Sequence, residues 1–417
     1  MIKKQLFLFF FVTLNIFPLW LTAQMVKKPL TPAVYDNWKS IDASVLSNNG
    51  RYAAFEVNAQ QGDGRLDYID LKTNKRDSVD RAGGLLFSPN SNYFVARIRM
   101  SYADQRKKKL AKKDKEIKDT LLIHVFEGQE KKFSNIRTYR VAEKESDWLA
   151  LFREQDQQKD SLKKNDSLHE KSMPIRRAIA SSPVNLKKGD TAGLTKPGAA
   201  APKHKSEIDR KELGELVILN PVADKEYRFK DVREYDLSDN GKIISMVRAW
   251  GEGTDSTEVA AFNTSSEKLT IIYKGPGYAL KPTSDWQGNQ MAYLLASDTG
   301  KIKRYALFHY NFKSAKVQMV ADTATAAFTR GWTISENGNL NFAEDGSKLF
   351  FGVAPRPKPE PRDTLTSDEK AHYDISSWTD DVLMTQQLNT LAKDNKRTYT
   401  ALYNIVKNKV FQLADEN

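Results

Sequence analysis

Cysteine is absent from the 417-residue sequence. Its absence excludes disulfide bonds, cysteine nucleophiles, thiolate metal sites and the lipid-bearing cysteine of a bacterial lipoprotein. The Gly-x-Ser-x-Gly motif of hydrolase nucleophile elbows is also missing, and its nearest approach, Gly346-Ser347, falls in a predicted turn. No glycine-rich phosphate loop is present, because Gly251-Glu252-Gly253 has no Lys-Ser/Thr partner.

Histidine is scarce, and its positions do not indicate chemistry. The five histidines are His124, His169, His204, His309 and His372. His124 and His309 fall in predicted strands, where we expect structural roles, and no two histidines have the spacing of metal ligands on a helix. Asp236–Gly241 is similar to a calcium loop but lacks the downstream glutamate. We therefore predict no catalytic, cofactor-binding or metal-binding residues.

Long hydrophobic runs are also lacking, with one exception at the amino terminus. Lys3 and Lys4 precede an apolar run, Leu6–Leu21, and small residues follow it before Gln24. This order predicts a secretory signal peptide over residues 1–23 and an exported, periplasmic or extracellular protein. A retained membrane anchor is the alternative, but the run is shorter than the ~20 apolar residues of a spanning helix. We expect no stable anchor after cleavage.

Positive charge is concentrated in one segment. Residues 105–118 contain eight basic and two acidic residues and so carry half of the net charge of +12. A basic run can bind nucleic acid or anionic lipid, but this one has no interleaved aromatic residues to stack on bases. We therefore predict a solvated loop and no nucleic-acid partner.

One short pattern recurs along the chain. A small or apolar residue and a turn of Ser, Asn, Asp or Gly precede an alternating apolar strand. Such turn residues suit tight hairpins, and the Tyr, Phe, Val and Ile that follow suit packed sheets. The clear copies begin at Leu46, Phe87, Leu237, Ser284 and Phe342, and a degraded copy begins at Glu145.

The spacing of the copies predicts the fold class. Gly50 and the equivalent Ser91 are 41 residues apart, Gly241 and Gly288 are 47 apart, and Gly288 and Gly346 are 58 apart. A period of ~40–50 residues made of short strands is typical of four-stranded propeller blades. We predict an all-β protein, a β-propeller of about six to seven blades. Since the last hairpin has little chain after it, we expect the set to be incomplete at the carboxy terminus.

Composition divides the mature chain into three parts. Residues 154–210 hold Gln, Lys, Ser, Gly, Ala and Pro with almost no apolar periodicity, which predicts a disordered insertion. The first group of blades then covers residues 24–153, and the second, truncated group covers residues 211–417. A proline-rich stretch, residues 355–361, predicts a stiff connector. It leads to a predicted short helix within Asp380–Asn395.

The carboxy-terminal segment carries a family resemblance. Tyr373–Asp381, Gln386–Leu388, Arg397–Tyr403 and Gln412–Ala414 resemble a stretch in exported prolyl-oligopeptidase-family serine peptidases of Bacteroidetes-type bacteria. The blade motifs resemble the WD-like repeats of TolB-type propellers. This resemblance implies an amino-terminal propeller that caps a carboxy-terminal α/β-hydrolase domain with a Ser–Asp–His triad.

The hydrolase half of that family has no counterpart in this sequence, so no catalytic residue carries over. The resemblance implies a non-catalytic propeller domain that gates or recognises peptides for an α/β-hydrolase domain. The alternative is a free-standing exported propeller that acts as a binding module in the cell envelope. Both hypotheses predict a chain that is not itself an enzyme.

Overall fold

A computed structural model describes residues 38–154, 213–249, 256–298, 302–357 and 377–415, together with Tyr35, Thr366 and Glu369. The predicted signal peptide, residues 1–23, and all but the first residue of the predicted insertion lie outside these ranges. So does the amino-terminal part of the segment that carries the family resemblance.

Strands dominate the described residues. The first group is β1 Lys39–Leu46, β2 Tyr52–Ala59, β3 Arg65–Asp70, β4 Lys75–Asp80, β5 Ala82–Phe87, β6 Tyr93–Ile98, β7 Thr120–Val125, β8 Lys131–Ser134, β9 Ile136–Val141 and β10 Leu149–Glu154. The second group is β11 Gly214–Asn220, β12 Lys225–Leu237, β13 Ile243–Ala249, β14 Ser256–Asn263, β15 Lys268–Pro276, β16 Tyr278–Ser284, β17 Gln290–Ala296, β18 Tyr305–Asn311, β19 Lys316–Ala321, β20 Trp332–Ile334, β21 Asn341–Phe342, β22 Lys348–Pro355, β23 Tyr399–Asn404 and β24 Lys409–Gln412.

Two short helices accompany the strands. Helix α1, Tyr102–Leu110, occupies the basic segment that the sequence predicts as a loop, so the prediction of a loop is wrong. The Ser101 hydroxyl caps it by accepting from the amide of Asp104 at 3.2 Å, and the helix buries no residue. Helix α2, Met384–Asp394, lies within the range predicted for a short helix.

The described residues form two compact units. One lies within Met1–Leu151 together with Ile218–Glu226, and the other lies within Phe152–Val217 together with Tyr227–Asn417. In the first unit, β1 to β4 and β5 to β8 form two four-stranded antiparallel meanders. Apolar residues of both meanders pack together, including Tyr52, Leu66, Phe94 and Leu122.

The second unit repeats this architecture. Strands β12 to β15 and β16 to β19 form antiparallel meanders, and β22 pairs in turn with β20, β21 and β23, which pairs with β24. Two cores lie in this unit, one around Val259 and Tyr293 and one around Leu307 and Phe351. The predicted fold class, an all-β protein of four-stranded propeller blades, is confirmed.

The strand positions within a meander differ consistently. Middle strands such as β6 and β17 are largely buried, whereas the last strand of a meander is largely exposed. The last strands each begin with a lysine, at Lys75, Lys131, Lys268, Lys316 and Lys409. First strands carry irregular register, with bulges in β1, β5, β12 and β16.

Candidate functional site

The recurring turn is built alike in four of its five clear copies, and the copy that begins at Phe342 has Ala343 in place of the first polar residue. In those four copies this side chain is buried and accepts the backbone N–H that opens the next strand. Ser47, Ser88 and Ser238 do so through a hydroxyl, and Asp285 does so through a carboxylate. The amide-to-oxygen distances lie between 2.9 and 3.3 Å. The shared pattern in the sequence therefore encodes a shared hydrogen bond.

Hydrogen bonds also join several of these turns, or the residue directly after the turn, to the next turn in the same unit. Asn48 Nδ2 donates to the carbonyl of Pro89 at 3.0 Å, and Asn240 Nδ2 donates to the carbonyl of Gln287 at 2.8 Å. Gln290 Nε2 donates to the carbonyl of Gly346 at 2.6 Å. These bonds join neighbouring meanders. Asp236, which belongs to the calcium-loop-like stretch that the sequence predicts to be structural, accepts the amide of Ser284 at 2.9 Å.

The described histidines lie where the sequence predicts, in strands β7 and β18. His309 is buried, and its Nε2 lies 2.8 Å from Gln290 Oε1. Because Gln290 uses its Nε2 to donate to Gly346, His309 must donate through Nε2. Burial lowers the pKa of His309 below its ordinary value of 6.5. His169, His204 and His372 lie outside the described residues.

His124 lies in an aromatic environment at the outer part of its meander. Its Nδ1 is 3.0 Å from Glu130 Oε1, and its Nε2 is 3.3 Å from the hydroxyl of Tyr68. The ring stacks on Phe94 with centroids 4.8 Å apart. Burial raises the pKa of Tyr68, so the phenol stays protonated and is no nucleophile at neutral pH. We interpret this group as structural.

Among the described residues, no group of three or more His, Cys, Asp or Glu side chains is arranged to hold a metal ion. No helix in that part of the chain has the length and apolar character needed to cross a membrane. Gly346-Ser347 lies in the turn between β21 and β22, where the Ser347 hydroxyl donates to its neighbour Asp345.

The second unit contains a mixed cationic and aromatic group that the sequence did not reveal. It lies on the first strands β12 and β16 and on the segments next to β18 and β20. We call it the Arg233 cluster, and its members are Arg233, Glu234, Tyr278, Lys281, Lys303, Tyr305 and Glu336. It combines one guanidinium, two ammonium groups, two phenols and two carboxylates.

Arg233 lies at the bulge of β12 and is 7% exposed. Its guanidinium carbon lies 4.0 Å from the ring centroid of Tyr278, a cation–π contact. Its Nη1 donates to the carbonyl of Ala279 at 3.4 Å. Lys303 approaches the same Tyr278 ring, with its Nζ 4.8 Å from the centroid. Two cations therefore share one aromatic ring.

Lys281 joins β16 to Glu234 of β12 and to Gly338 through hydrogen bonds. Its backbone is left-handed, with φ 53°, at the bulge of β16. Its amide donates to Glu234 Oε2 at 2.5 Å, and its Nζ donates to the carbonyl of Gly338. Burial lowers the pKa of Lys281, while the charges of Glu234 and Glu336 act in the opposite direction. The half-buried ammonium is thus held by fixed partners.

Tyr305, the first residue of β18, is buried and links the carboxylates to the aromatic part of the cluster. Burial raises its pKa, and the charges of Glu336 and Glu234 raise it further, while Arg233 lowers it. Charges of both signs in the cluster therefore act on Tyr305. The cluster contains binding groups without a nucleophile paired to a base.

Sequence reasoning missed this cluster because its members are separated by 103 positions, from Arg233 to Glu336. Taken alone, each residue is typical of an ordinary strand or loop. The available signal was Arg233 itself, a charged residue beside Val232 in a strand-like run. Which residues of β16 it meets depends on bulges that the sequence pattern does not show.

No protein-family model and no curated protein matches this sequence. Similar solved structures include an acylaminoacyl peptidase of Pyrococcus horikoshii, at TM-score 0.32 and 9% identity over 76% of this chain and 43% of that chain. The β-propeller domain of the Trilobed protease of Pyrococcus furiosus gives TM-score 0.33 and 12% identity over 76% and 80%. An oligogalacturonate lyase of Vibrio parahaemolyticus gives 0.32 and 11% over 75% and 74%.

This chain spans less than half the length of the acylaminoacyl peptidase to which it is similar. At identities of 9 to 12% and TM-scores of 0.32 to 0.33, these similarities assign no activity and no ligand to it.

Proposed function

We propose that this chain is the propeller part of a prolyl-oligopeptidase-like serine peptidase, in which it recognises peptides and controls their access to an α/β-hydrolase domain. In this proposal the hydrolase domain carries out catalysis, and this chain binds peptides without cleaving them. The protein is exported, after removal of residues 1–23.

The Arg233 cluster is the observation that carries the proposal. Guanidinium, ammonium and phenol groups match the carbonyls, carboxylates and side chains of a peptide. The cluster draws on β12 and β16, each the first strand of its meander. Propeller blades surround a central channel, where ligands commonly enter, and first strands are the ones closest to it.

The sequence adds independent support. Two parts of the stretch that resembles exported prolyl-oligopeptidase-family peptidases lie here: Arg397–Tyr403, which holds all of β23 but its last residue, and Gln412–Ala414, which starts at the last residue of β24. This part of the chain completes the sheet that includes β22. The resemblance therefore falls on a blade of the second unit, the unit that also holds the cluster.

The test is a binding and turnover assay on the purified chain. Fluorescently labelled peptides of two to six residues, as a size series, are titrated and followed by anisotropy, and cleavage is followed by mass spectrometry. We expect saturable binding of short peptides and no cleavage. Cleavage that co-purifies with the folded chain would refute the non-catalytic assignment, and failure of every peptide to bind would refute peptide recognition.

A matched pair of lysine variants tests whether peptides bind at the Arg233 cluster. Lys303→Met removes the ammonium over Tyr278 and is expected to weaken peptide binding, whereas Lys313→Met removes an equal charge from an exposed turn and is expected to leave it unchanged. Equal effects of both variants would indicate a nonspecific charge effect. Binding of an envelope glycan in place of peptides would favour the alternative, a free-standing binding module.

A further inference from the structure

Arg233 has one edge of its guanidinium group without a partner. The Nε and Nη2 atoms lie on that edge and point their N–H bonds in parallel. In the part of the chain that the structure describes, neither atom makes a hydrogen bond. Nη1, on the other side, donates to the carbonyl of Ala279. The unpartnered edge is the one that binds a carboxylate through two parallel hydrogen bonds.

A buried guanidinium without full pairing is costly. Removing a charge from water costs several kcal/mol unless hydrogen bonds and opposite charge offset it. The adjacent carboxylate, Glu234, accepts the amide of Lys281, and no hydrogen bond joins it to Arg233 in the described residues. Buried polar groups are nearly always paired, so an open fork needs an explanation. A partner that is not part of the resting protein provides one.

We propose that the Nε–Nη2 edge of Arg233 binds a single carboxylate of the peptide, an inference that rests on the proposed function. The carboxylate belongs either to the peptide's carboxy terminus or to an Asp or Glu side chain. Lys281 and Lys303 contribute positive charge beside it, and the Tyr278 ring supplies an apolar face for the adjoining part of the peptide.

The charges of the cluster favour one negative charge over two. Arg233, Lys281 and Lys303 are opposed by Glu234 and Glu336, which leaves a net charge of +1 when all five are ionised. A bound dianion such as phosphate would make the cluster negative overall, and repulsion between the dianion and the two carboxylates disfavours such a ligand. A carboxylate balances the cluster.

Access to the fork requires local movement of the side chains that shield it. Nε and Nη2 are shielded from solvent, and the ring of Tyr278 lies 4.0 Å above the guanidinium. Tyr278 is half-buried and opens its strand directly after Gly277, which has φ 124°. A carboxylate binds in the plane of the guanidinium at the Nε–Nη2 edge, so the Tyr278 ring stays over the face and the cation–π contact is kept when the charged hydrogen bonds form.

The experiment compares three peptides on the full chain by isothermal titration calorimetry. The first is an acetylated alanine tripeptide with a free carboxy terminus, the second is its carboxy-terminal amide, and the third is the amide with an internal aspartate. We expect the free acid to bind roughly 10- to 100-fold more tightly than the amide, the effect of a charged bidentate hydrogen bond. Recovery of affinity in the third peptide would show that a side-chain carboxylate is also accepted.

Three variants test whether Arg233 causes the difference in affinity between the acid and the amide. Arg233→Met retains much of the side-chain volume and is expected to abolish the difference between acid and amide. Arg233→Lys keeps the charge but not the fork, and it should restore only part of the difference. Arg304→Met is the matched control, because Arg304 is a nearby exposed arginine that already pairs with Asp298 at 2.8 Å. It should retain the full difference.

The outcomes separate this inference from the proposed function. If acid and amide bind equally to the parent chain, the carboxylate site is wrong while peptide recognition stands. If no peptide binds, both are wrong. Should Arg233→Met fail to fold, Tyr278→Ala provides the second test: it removes the ring that holds the guanidinium in place and should weaken binding of the acid more than binding of the amide. A parallel change for both peptides would overturn the inference.

Discussion

At the residue scale, His309 gives the protein a defined response to acid. Burial lowers its pKa, so the unfolded chain binds a proton more readily than the folded one. The stabilising contribution is therefore complete above pH 6.5 and declines as the pH falls below that value. We expect the unfolding midpoint in urea to decrease between pH 7 and pH 5, and His309→Gln to reduce that decrease.

His124→Gln is the control for this prediction. It removes a histidine from a strand of another meander, and because the decrease between pH 7 and pH 5 is assigned to His309, that decrease should remain. An unchanged pH profile in His309→Gln would contradict the assignment.

Gly338 illustrates a residue fixed by close packing of backbone. A Cβ added there would lie 2.3 Å from the Cα of Gly352, a distance that real Cβ contacts do not reach. We expect Gly338→Ala to lower the free energy of unfolding by about 3 kcal/mol, the upper part of the range for overpacking. Urea denaturation measures the change.

Gly50→Ala separates packing from backbone conformation. Gly50 has φ 69° and no atom within 4 Å of the added Cβ, so only the left-handed conformation opposes alanine. The expected cost is about 1 kcal/mol. If both variants cost the same, close approach would not be what requires glycine at position 338.

At the scale of elements, the first polar position of the recurring turn holds serine in one meander and aspartate in the next. Ser238 accepts the amide of Ile243 at 2.9 Å, and Asp285 accepts the amide of Gln290 at 3.1 Å. Ser238→Ala leaves a buried N–H unsatisfied and should cost about 1–2 kcal/mol in the free energy of unfolding. Ser238→Asp should cost clearly less, because aspartate fills the equivalent position of the next blade. Urea midpoints of the two variants decide this, and equal losses would contradict a shared turn.

These turns explain how much of the fold could be predicted. The recurring pattern determines both a local hydrogen bond and the start of a strand, so it identifies blades from sequence alone. Helix α1 escaped prediction because it has no apolar face. Its Ala, Gln, Lys and Leu residues favour a helix through intrinsic propensity, and Ser101 caps it.

The Arg233 cluster could not be predicted for a different reason. Its geometry depends on bulges in β12 and β16, where left-handed residues such as Lys281 shift the register by a residue. A single shift of that kind changes which side chains face one another. The periodicity of the strands shows that they exist, but not these shifts.

At the scale of the whole molecule, the basic segment contributes charge without contributing stability. Lys107, Lys109 and Lys112 are on or just beyond α1, and the helix buries no residue. Replacing all three with Gln should change the free energy of unfolding by no more than about 0.5 kcal/mol and lower the salt needed for elution from a cation exchanger. A large loss of stability would show that the segment is structural.

The lysines that open the last strand of each described meander have a consequence for the molecule in concentrated solution. A last strand leaves a row of backbone N–H and C=O groups free to pair with another chain, the route by which sheets polymerise into fibrils. A hydrated ammonium at the start of β4, β15, β19 and β24 repels the same charge on an approaching copy, whereas Lys131 at the start of β8 is paired with Asp224. Four such gatekeepers oppose edge-to-edge association of a protein rich in strands.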